Sequence, residues 1–267
     1  MYILFDIGGT KTRIASSQDG KTISEPEIFD TPKDYTQGLD RIKDAISKLV
    51  GTNQIESAVC GIAGPLDEER TKLTNSPQLP DWVGKLLKED LQKLLNSKVF
   101  IENDAALAGL GEAIHGAGQG YSIVAYLTIS TGVGGVKIVD GKIDKNSLGF
   151  EPGNMFIEDG RLQDLISGMA LEKKYRMKPQ DINDARVWDE MANNLAQGLN
   201  NIIVDWSPQI LILGGGVSNS IPIENVKTYL SKLMKIFPEI PPIEKAALGD
   251  LSGLYGALEY LKQTSTL

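Results

Sequence analysis

Two segments of this chain open with the same device, and that repetition limits the folds open to it. Residues 2–7 (YILFDI) form an apolar run that ends at Asp6-Ile7, turns through Gly8-Gly9-Thr10 and continues as Lys11–Ser16. Residues 122–129 (SIVAYLTI) lead in the same way into Ser130-Thr131-Gly132-Val133-Gly134-Gly135, after which Val136–Val139 return. Short apolar runs joined by small-residue turns read as β-hairpins, and Asp140-Gly141 adds a further hairpin turn. Elsewhere, strand-like and helix-like segments alternate. Tyr35, Leu39, Ile42, Ile46 and Leu49 share one face of a predicted helix over 34–50. Val83, Leu87, Leu91 and Leu95 mark a second, and an Ala-rich stretch through Ile114 a third. Val187, Met191, Leu195, Leu199, Ile202 and Trp206 build a long one, and 251–261 the last. Strands are predicted over 57–62, 99–101 and 209–213. The alternation implies an α/β fold. The repeated opening implies two related halves with a ligand cleft between them. The glycine-rich run His115–Gly120 marks the boundary, giving an N-terminal α/β domain over 1–115 and a C-terminal one over 116–249.

Several loops have the composition of ligand sites. Asp6 at the end of a buried strand, followed by Gly8, Gly9, Thr10 and Lys11, could hold a hydrated Mg²⁺ above a nest of backbone amides. The same residues also suit a plain hairpin turn with a capping Asp. The run is not a P-loop, because GxxxxGK[ST] is absent. Thr131 and Gly132 lie in a second turn of the same chemical kind, and the two turns together could grip one nucleotide's phosphates. Gly214, Gly215 and Gly216 end a strand and offer a flat surface to a base or ribose, or serve as an ordinary strand-to-helix turn. Asn103-Asp104 follow a strand and open a helix. A carboxylate there faces the ligand crevice of an α/β sheet and could accept the proton of an attacking hydroxyl; it could equally cap the helix. Gly61-Ile-Ala-Gly64-Pro65 and Glu151-Pro-Gly-Asn154 could line a polyol pocket, although each also suits a turn. His115, at a helix end, and Cys60, in an apolar strand, read as structural.

Composition removes other classes. Lys plus Arg total 27 against 35 Asp plus Glu, a net charge of −8. Nucleic-acid binding draws on clustered positive charge, so no nucleic-acid partner is expected. No apolar run approaches the ~18–20 residues that span a bilayer, and MYILFDIGGT lacks the basic start of a signal peptide. The expectation is a cytoplasmic enzyme with no membrane partner. One cysteine and one histidine exclude an internal disulfide and a multi-histidine metal centre.

Taken as an ordered set, the motifs resemble the ROK family of sugar kinases, within the actin-like ATPase superfamily that includes hexokinase. The pieces are Asp6-Ile-Gly-Gly-Thr-Lys11, Gly61-Ile-Ala-Gly-Pro65, Glu102-Asn-Asp-Ala105, Thr131-Gly-Val-Gly-Gly135, Glu151-x-Gly153, Leu213-Gly-Gly-Gly216 and Leu248-Gly-Asp-Leu-Ser-Gly-Leu-Tyr-Gly-Ala257. The resemblance implies a two-domain actin-like ATPase (ribonuclease H-like) fold, with the C-terminal helix, 250–267, packing back on the N-terminal half. It implies ATP and Mg²⁺ as cofactors, a sugar as substrate, and a homodimer or homotetramer. Asp6 would lie near the Mg²⁺, with Gly8 to Lys11 as the first phosphate turn and Thr131 and Gly132 in the second. Gly214 to Gly216 would meet the adenosine. Gly64, Asn103, Asp104 and Glu151 would contact the sugar, with Asp104 the catalytic base of an in-line phosphoryl transfer.

The chain departs from the pattern in three places. The family commonly has Glu-x-Gly-His followed by a cysteine-rich zinc loop; here Asn154 replaces the His, and Met155–Gly168 contains no cysteine. The glutamate that usually follows aligns with Gln163, with Asp164 one position off. The Asn of the usual Asn-Leu-x-x-Trp aligns with Gln78, with Asn75 nearby. The sugar identity is therefore open, and a catalytically weak or inactive binder of sugar or nucleotide remains an alternative. A sugar-responsive repressor is disfavoured because the first strand starts at Tyr2, leaving no helix-turn-helix ahead of it. An acyl-CoA-activating ATPase would want cluster cysteines, which Cys60 alone cannot supply. Elemental analysis of the purified protein is expected to find no stoichiometric zinc; one zinc per chain would overturn this reading of 150–168.

Overall fold

A computed structural model of the chain describes residues 1–264. They divide into two compact units. The first contains Met1–Ile114, Lys145–Gly149 and the chain from Asp250; the second contains His115–Asp144 and Phe150–Gly249. The helix expected over 250–267 runs from Ser252 to Thr264, and 265–267 lie outside the described residues.

The first unit is built on a five-stranded sheet of order β3-β2-β1-β4-β5. Strands β1 (Tyr2–Ile7), β2 (Lys11–Ser17) and β3 (Glu27–Asp30) form an antiparallel meander. Strands β4 (Ser57–Ile62) and β5 (Lys98–Asn103) run parallel to β1. Side chains alternate across a strand, so β1 feeds two cores. Ile3, Phe5 and Ile7 pack with helices α1 (Tyr35–Val50) and α2 (Leu87–Leu95). Tyr2 and Leu4 pack with Leu107 of α3 (Asp104–His115) and with Leu254, Ala257, Leu258 and Leu261 of the C-terminal helix. Asp34 caps α1 by accepting the Gln37 N–H at 2.8 Å.

Helix α2 begins later than the Val83 periodicity predicts. Pro80–Trp82 form a 3-10 turn whose Trp82 is buried, with its indole N–H donating to Pro32 O at 3.1 Å. Val83 is extended and bridges Leu73 instead of joining the helix. The tertiary seat of Trp82 thus overrides the helical spacing.

The second unit repeats the first. Its sheet has the order β12-β11-β6-β7-β8. Strands β6 (Ile123–Ile129), β7 (Val133–Val139) and β8 (Lys142–Ile143) form the meander. The parallel additions are β11 (Ile210–Gly214) and β12 (Ile243–Lys245). A small ribbon, β9 (Phe156–Ile157) and β10 (Gly160–Arg161), stands apart from this sheet. Helices α4 (Leu162–Ile166), α5 (Gly168–Tyr175), α6 (Ala185–Trp206) and α7 (Ile223–Leu233) complete the unit. Long α6 lays Met191, Leu195, Leu199 and Ile202 against Ala125, Leu127, Leu211 and Leu213. The predicted turn Ser130–Gly135 is shorter than expected. Gly134 and Gly135 belong to β7, and a Cβ on Gly135 would sit 2.6 Å from Tyr126 O and 2.8 Å from Pro152 Cγ. That glycine serves close approach, not the turn.

In the first unit, α3 and the C-terminal helix meet backbone to backbone. A Cβ on Gly256 would collide with the Leu107 carbonyl, and one on Gly111 with the Ser252 carbonyl. Neither obstacle is the end of a flexible side chain. Gly256→Ala is therefore expected to cost about 3 kcal/mol, at the upper end of overpacking penalties, read from the urea midpoint. Gly216→Ala, with open space around the new methyl, should leave that midpoint nearly unchanged.

Candidate active site

Strand register gathers the candidates of the first unit. Ile7 pairs with Ile62, and Ile62 with Asn103, along parallel β1, β4 and β5. The Gly8-Gly9 turn, the Ala63-Gly64 loop and Asp104 therefore emerge at the same end of one sheet. They span two inter-strand spacings, about 10 Å.

The first turn is held from behind. Thr31 Oγ1 donates to Gly8 O at 2.8 Å, Lys33 Nζ to Gly9 O at 2.6 Å, and Thr31 N–H to Thr10 O at 2.9 Å. Three consecutive carbonyls are thus drawn towards 31–33. Sequence reasoning missed Thr31 and Lys33, because their role appears only once β3 is paired with β2. The Lys11 ammonium turns away to Asp30, at 2.6 Å. Gln78 lies against Gly9, where a Cβ would come within 2.6 Å of its own Cβ, and its carbonyl accepts from Lys33 Nζ at 2.9 Å.

Asp6 faces the C-terminal helix, and the absence of a side chain at Gly253 makes room for its carboxyl. Arg13, its cross-strand partner, reaches Asp6 Oδ2 at 3.5 Å and Asp250 at 2.7 Å. Burial pushes the Asp6 carboxyl up to about 6, against the opposing pull of Arg13. Among the described residues no three His, Cys, Asp or Glu side chains converge as a metal cage. One buried carboxylate beside a turn of amides instead suits an ion that arrives hydrated, with phosphate oxygens completing its shell.

Gly64 has φ +131°, and a Cβ there would stand 2.5 Å from Asn75 O, so only glycine fits. Its carbonyl accepts from Asn103 Nδ2 at 3.1 Å, while Asn103 Oδ1 accepts the Ala106 N–H at 3.0 Å. Asn103 is thus the cap of α3, and it ties that helix to the Gly64 loop. Asp104 is partly buried, and its Oδ1 accepts the Ala105 N–H at 2.9 Å.

The second unit gathers its own set. Gly168 N–H donates to Ser130 O at 2.7 Å and Met169 N–H to Thr131 O at 3.2 Å, while Ser130 N–H closes on Gly132 O at 2.9 Å. As in the first turn, three carbonyls are satisfied from within the unit. Gly214 pairs with Thr128, which brings the Gly214–Gly216 loop beside the Thr131 turn. Gly215 has φ +83°, and a Cβ there would strike Ile129 O. Ser218 Oγ donates to Gly215 O at 2.8 Å, and Lys245 Nζ donates to Ser218 O.

Glu151 precedes and Asn154 ends a 3-10 turn packed on β7, where Gly153 leaves no room for a Cβ against Val133 O. Asn154 Nδ2 donates to Glu151 Oε2 at 3.3 Å, and Gln163 Nε2 donates to Asn154 Oδ1 at 2.8 Å. Asp164 instead pairs with Arg161 at 2.8 Å. Gln163, not Asp164, therefore joins this chain of polar groups. Glu151 is exposed as a residue, yet its carboxyl is crowded, and the resulting desolvation raises its pKa above the usual carboxylate range.

The Asp6 carboxyl tests the electrostatics. Its folded-state pKa lies above its unfolded one, so the folded protein holds the extra proton and loses stability as pH rises from about 4 to about 6. Asp6→Asn removes that cost. It is expected to be the more stable protein at pH 7.5, by about 3 kcal/mol, and to lose the advantage as pH falls from 6 to 4. Thermal unfolding across that range checks this; an equal difference at pH 4 and pH 7.5 would contradict it.

No helix of the described residues is long and apolar enough to cross a membrane. Residues 2–264 match the ROK family. The chain is 26% identical to a glucokinase of Thermotoga maritima, over 97% of this chain and 96% of that protein. It is 29% identical to an N-acetyl-D-glucosamine kinase of Mannheimia succiniciproducens, over 95% and 96%. The crystal structure of a ROK hexokinase from Thermus thermophilus superposes with a TM-score of 0.84 at 27% identity, covering 98% of both chains. With its two sheets of matching order, the fold is that of the actin-like ATPases, and the chain belongs to the ROK family.

Proposed function

We propose that this protein is an ATP-dependent sugar kinase that transfers the γ-phosphoryl group of ATP to a hydroxyl of a hexose or N-acetylhexosamine. The observation that carries the reading is the alignment of Ile7, Ile62 and Asn103 across three parallel strands. It delivers a phosphate-type turn, a glycine loop and an acid to one sheet end. The kinase relatives reported above support the same reaction class.

The roles follow from the local chemistry. A turn whose carbonyls are drawn to one side presents its N–H edge to the other, which suits an anion. In the Gly8–Lys11 turn the carbonyls of Gly8, Gly9 and Thr10 are drawn to 31–33, and in the second turn those of Ser130 and Thr131 are drawn to 168–169; the turns receive the phosphates through backbone rather than through the Lys11 ammonium. Gly216, with open space beside it, and Gly214-Gly215 receive the adenosine. Asp6 would hold a Mg²⁺ entering with the nucleotide, and the ion would supply charge neutralisation at the phosphate oxygens. Asn103, Gly64 and Gln78 in the first unit, and Glu151, Asn154 and Gln163 in the second, bind the sugar hydroxyls.

Asp104 is the general base. The Ala105 N–H fixes its carboxylate through Oδ1. As the sugar oxygen bonds to the γ-phosphorus and the bond to the bridging β–γ oxygen breaks, the hydroxyl proton passes to Asp104. Backbone amides at the two turns meet the charge that develops on the phosphoryl oxygens. The reading of a weak or inactive binder rests on one feature, the neutral amides of Asn154 and Gln163 bonded to each other beside Glu151.

A panel of hexoses and N-acetylhexosamines scored for ADP release decides between them. At least one sugar is expected to give stoichiometric ADP and sugar phosphate; none doing so would leave the binder. With the best sugar, Asp104→Asn is expected to lower kcat about 10³-fold, with ATP affinity by calorimetry unchanged. Near-normal turnover would remove Asp104 from the role of base.

A further inference from the structure

Beside the Gly64 loop lies a buried ion pair that the proposed reaction does not use. Glu102 immediately precedes Asn103 and is only 4% exposed. Its Oε1 accepts the Asn103 N–H at 2.8 Å, and its Oε2 accepts Arg70 Nε at 3.1 Å. Tyr260 of the C-terminal helix lies near the same carboxylate, whose charge adds to the burial that pushes the Tyr260 hydroxyl up. The rest of the Arg70 fork is also engaged. Nη2 donates to Asn146 Oδ1 at 3.0 Å, and Nη1 reaches Ser147 O at 3.5 Å. Those two residues lie in 145–149, the stretch of the first unit that leads in sequence to Glu151.

The loop carrying Arg70 is constructed to deliver it. Arg70 has φ +53°, a left-handed conformation that is unfavourable for an L-residue. Asp67 enforces it: its carboxylate accepts Thr71 N–H at 2.6 Å, Thr71 Oγ1 at 2.5 Å and Lys72 N–H at 3.2 Å, while its carbonyl accepts Arg70 N–H at 3.0 Å. A buried ion pair is a weak source of stability, and a strained residue that supports one calls for another role.

We propose that Arg70 is a positioning residue for the sugar: through Glu102 it orients Asn103 and Asp104, and through Asn146 and Ser147 it fixes the segment that leads to Glu151. The inference rests on the sugar-kinase reading for its substrate. The planar fork is essential, since one guanidinium bonds three groups in fixed directions and an ammonium cannot.

The experiment compares wild type, Arg70→Met, Arg70→Lys and the double variant Arg70→Met/Glu102→Met. Arg70→Met leaves a buried carboxylate without its cation and lowers the unfolding midpoint; the double variant removes that charge and recovers it. The KM for the best sugar is expected to rise at least tenfold in all three variants, with the KM for ATP within twofold of wild type. Recovery of the sugar KM together with stability in the double variant would make the pair merely structural and overturn the proposal. So would an equal rise in both KM values. A second readout is amide exchange at Ala105 and Ala106, whose N–H groups bond the Asp104 and Asn103 side chains. It should quicken in the double variant, and unchanged exchange also overturns the proposal. If wild type phosphorylates no sugar of the panel, the sugar-kinase reading falls, and this exchange measurement still decides whether Arg70 positions the two residues.

Discussion

The candidate site depends on the in-register parallel pairing of β1, β4 and β5. Because Ile7, Ile62 and Asn103 stand side by side, the residues that follow each must leave the sheet together. One becomes a glycine turn, one a loop locked by positive φ at Gly64 and one the cap of α3. A slip of β1 by one residue against β4 would turn its alternate side chains to the opposite face. Asp6 would then leave the face of Leu4 for that of Phe5, where Ile42 and Cys60 are packed.

The second unit uses the same arrangement with different chemistry. Its meander and two parallel additions repeat the order of the first sheet. The last pair across β4 and β5 is Ile62 with Asn103, and across β11 and β12 it is Leu213 with Lys245. One address therefore carries a carboxamide followed by an acid, and the other an ammonium whose burial lowers its pKa. A shared backbone plan thus carries different side-chain chemistry at equivalent positions.

Much of this was legible in the sequence because it is written in periodicity and in small residues. The hairpins at Gly8-Gly9 and Thr131-Gly132, the faces of α1 and α6, and the glycine runs all appear as local pattern. Other features needed three dimensions. Strand β3 has alternating exposure and no strong apolar run, yet it introduces Thr31 and Lys33 to the first turn. Helix α7 buries only Val226 and Leu230, and β12 is three residues long, so neither carries enough hydrophobic signal. Arg70 looks like one charge in an exposed DEER run, and only the fold reveals that its guanidinium is partly buried and bonded to Glu102, Asn146 and Ser147. Gly135 reads as part of a turn, and Gly111 and Gly256 as ordinary positions within helices, whereas each marks a place where backbones touch.

The order in which the chain is made adds one consequence. The face of the first sheet that carries Leu4 and Val59 is covered by Leu254, Leu258 and Leu261, which emerge from the ribosome after every residue of the second unit. The later-encoded unit therefore has all its parts in hand while the earlier one still waits for its closing helix. Gly253 reaches Asp6 only once that helix has been made, so the surroundings of the Asp6 carboxyl are completed after every residue of the second unit is out, reversing the usual N-to-C order of domain folding.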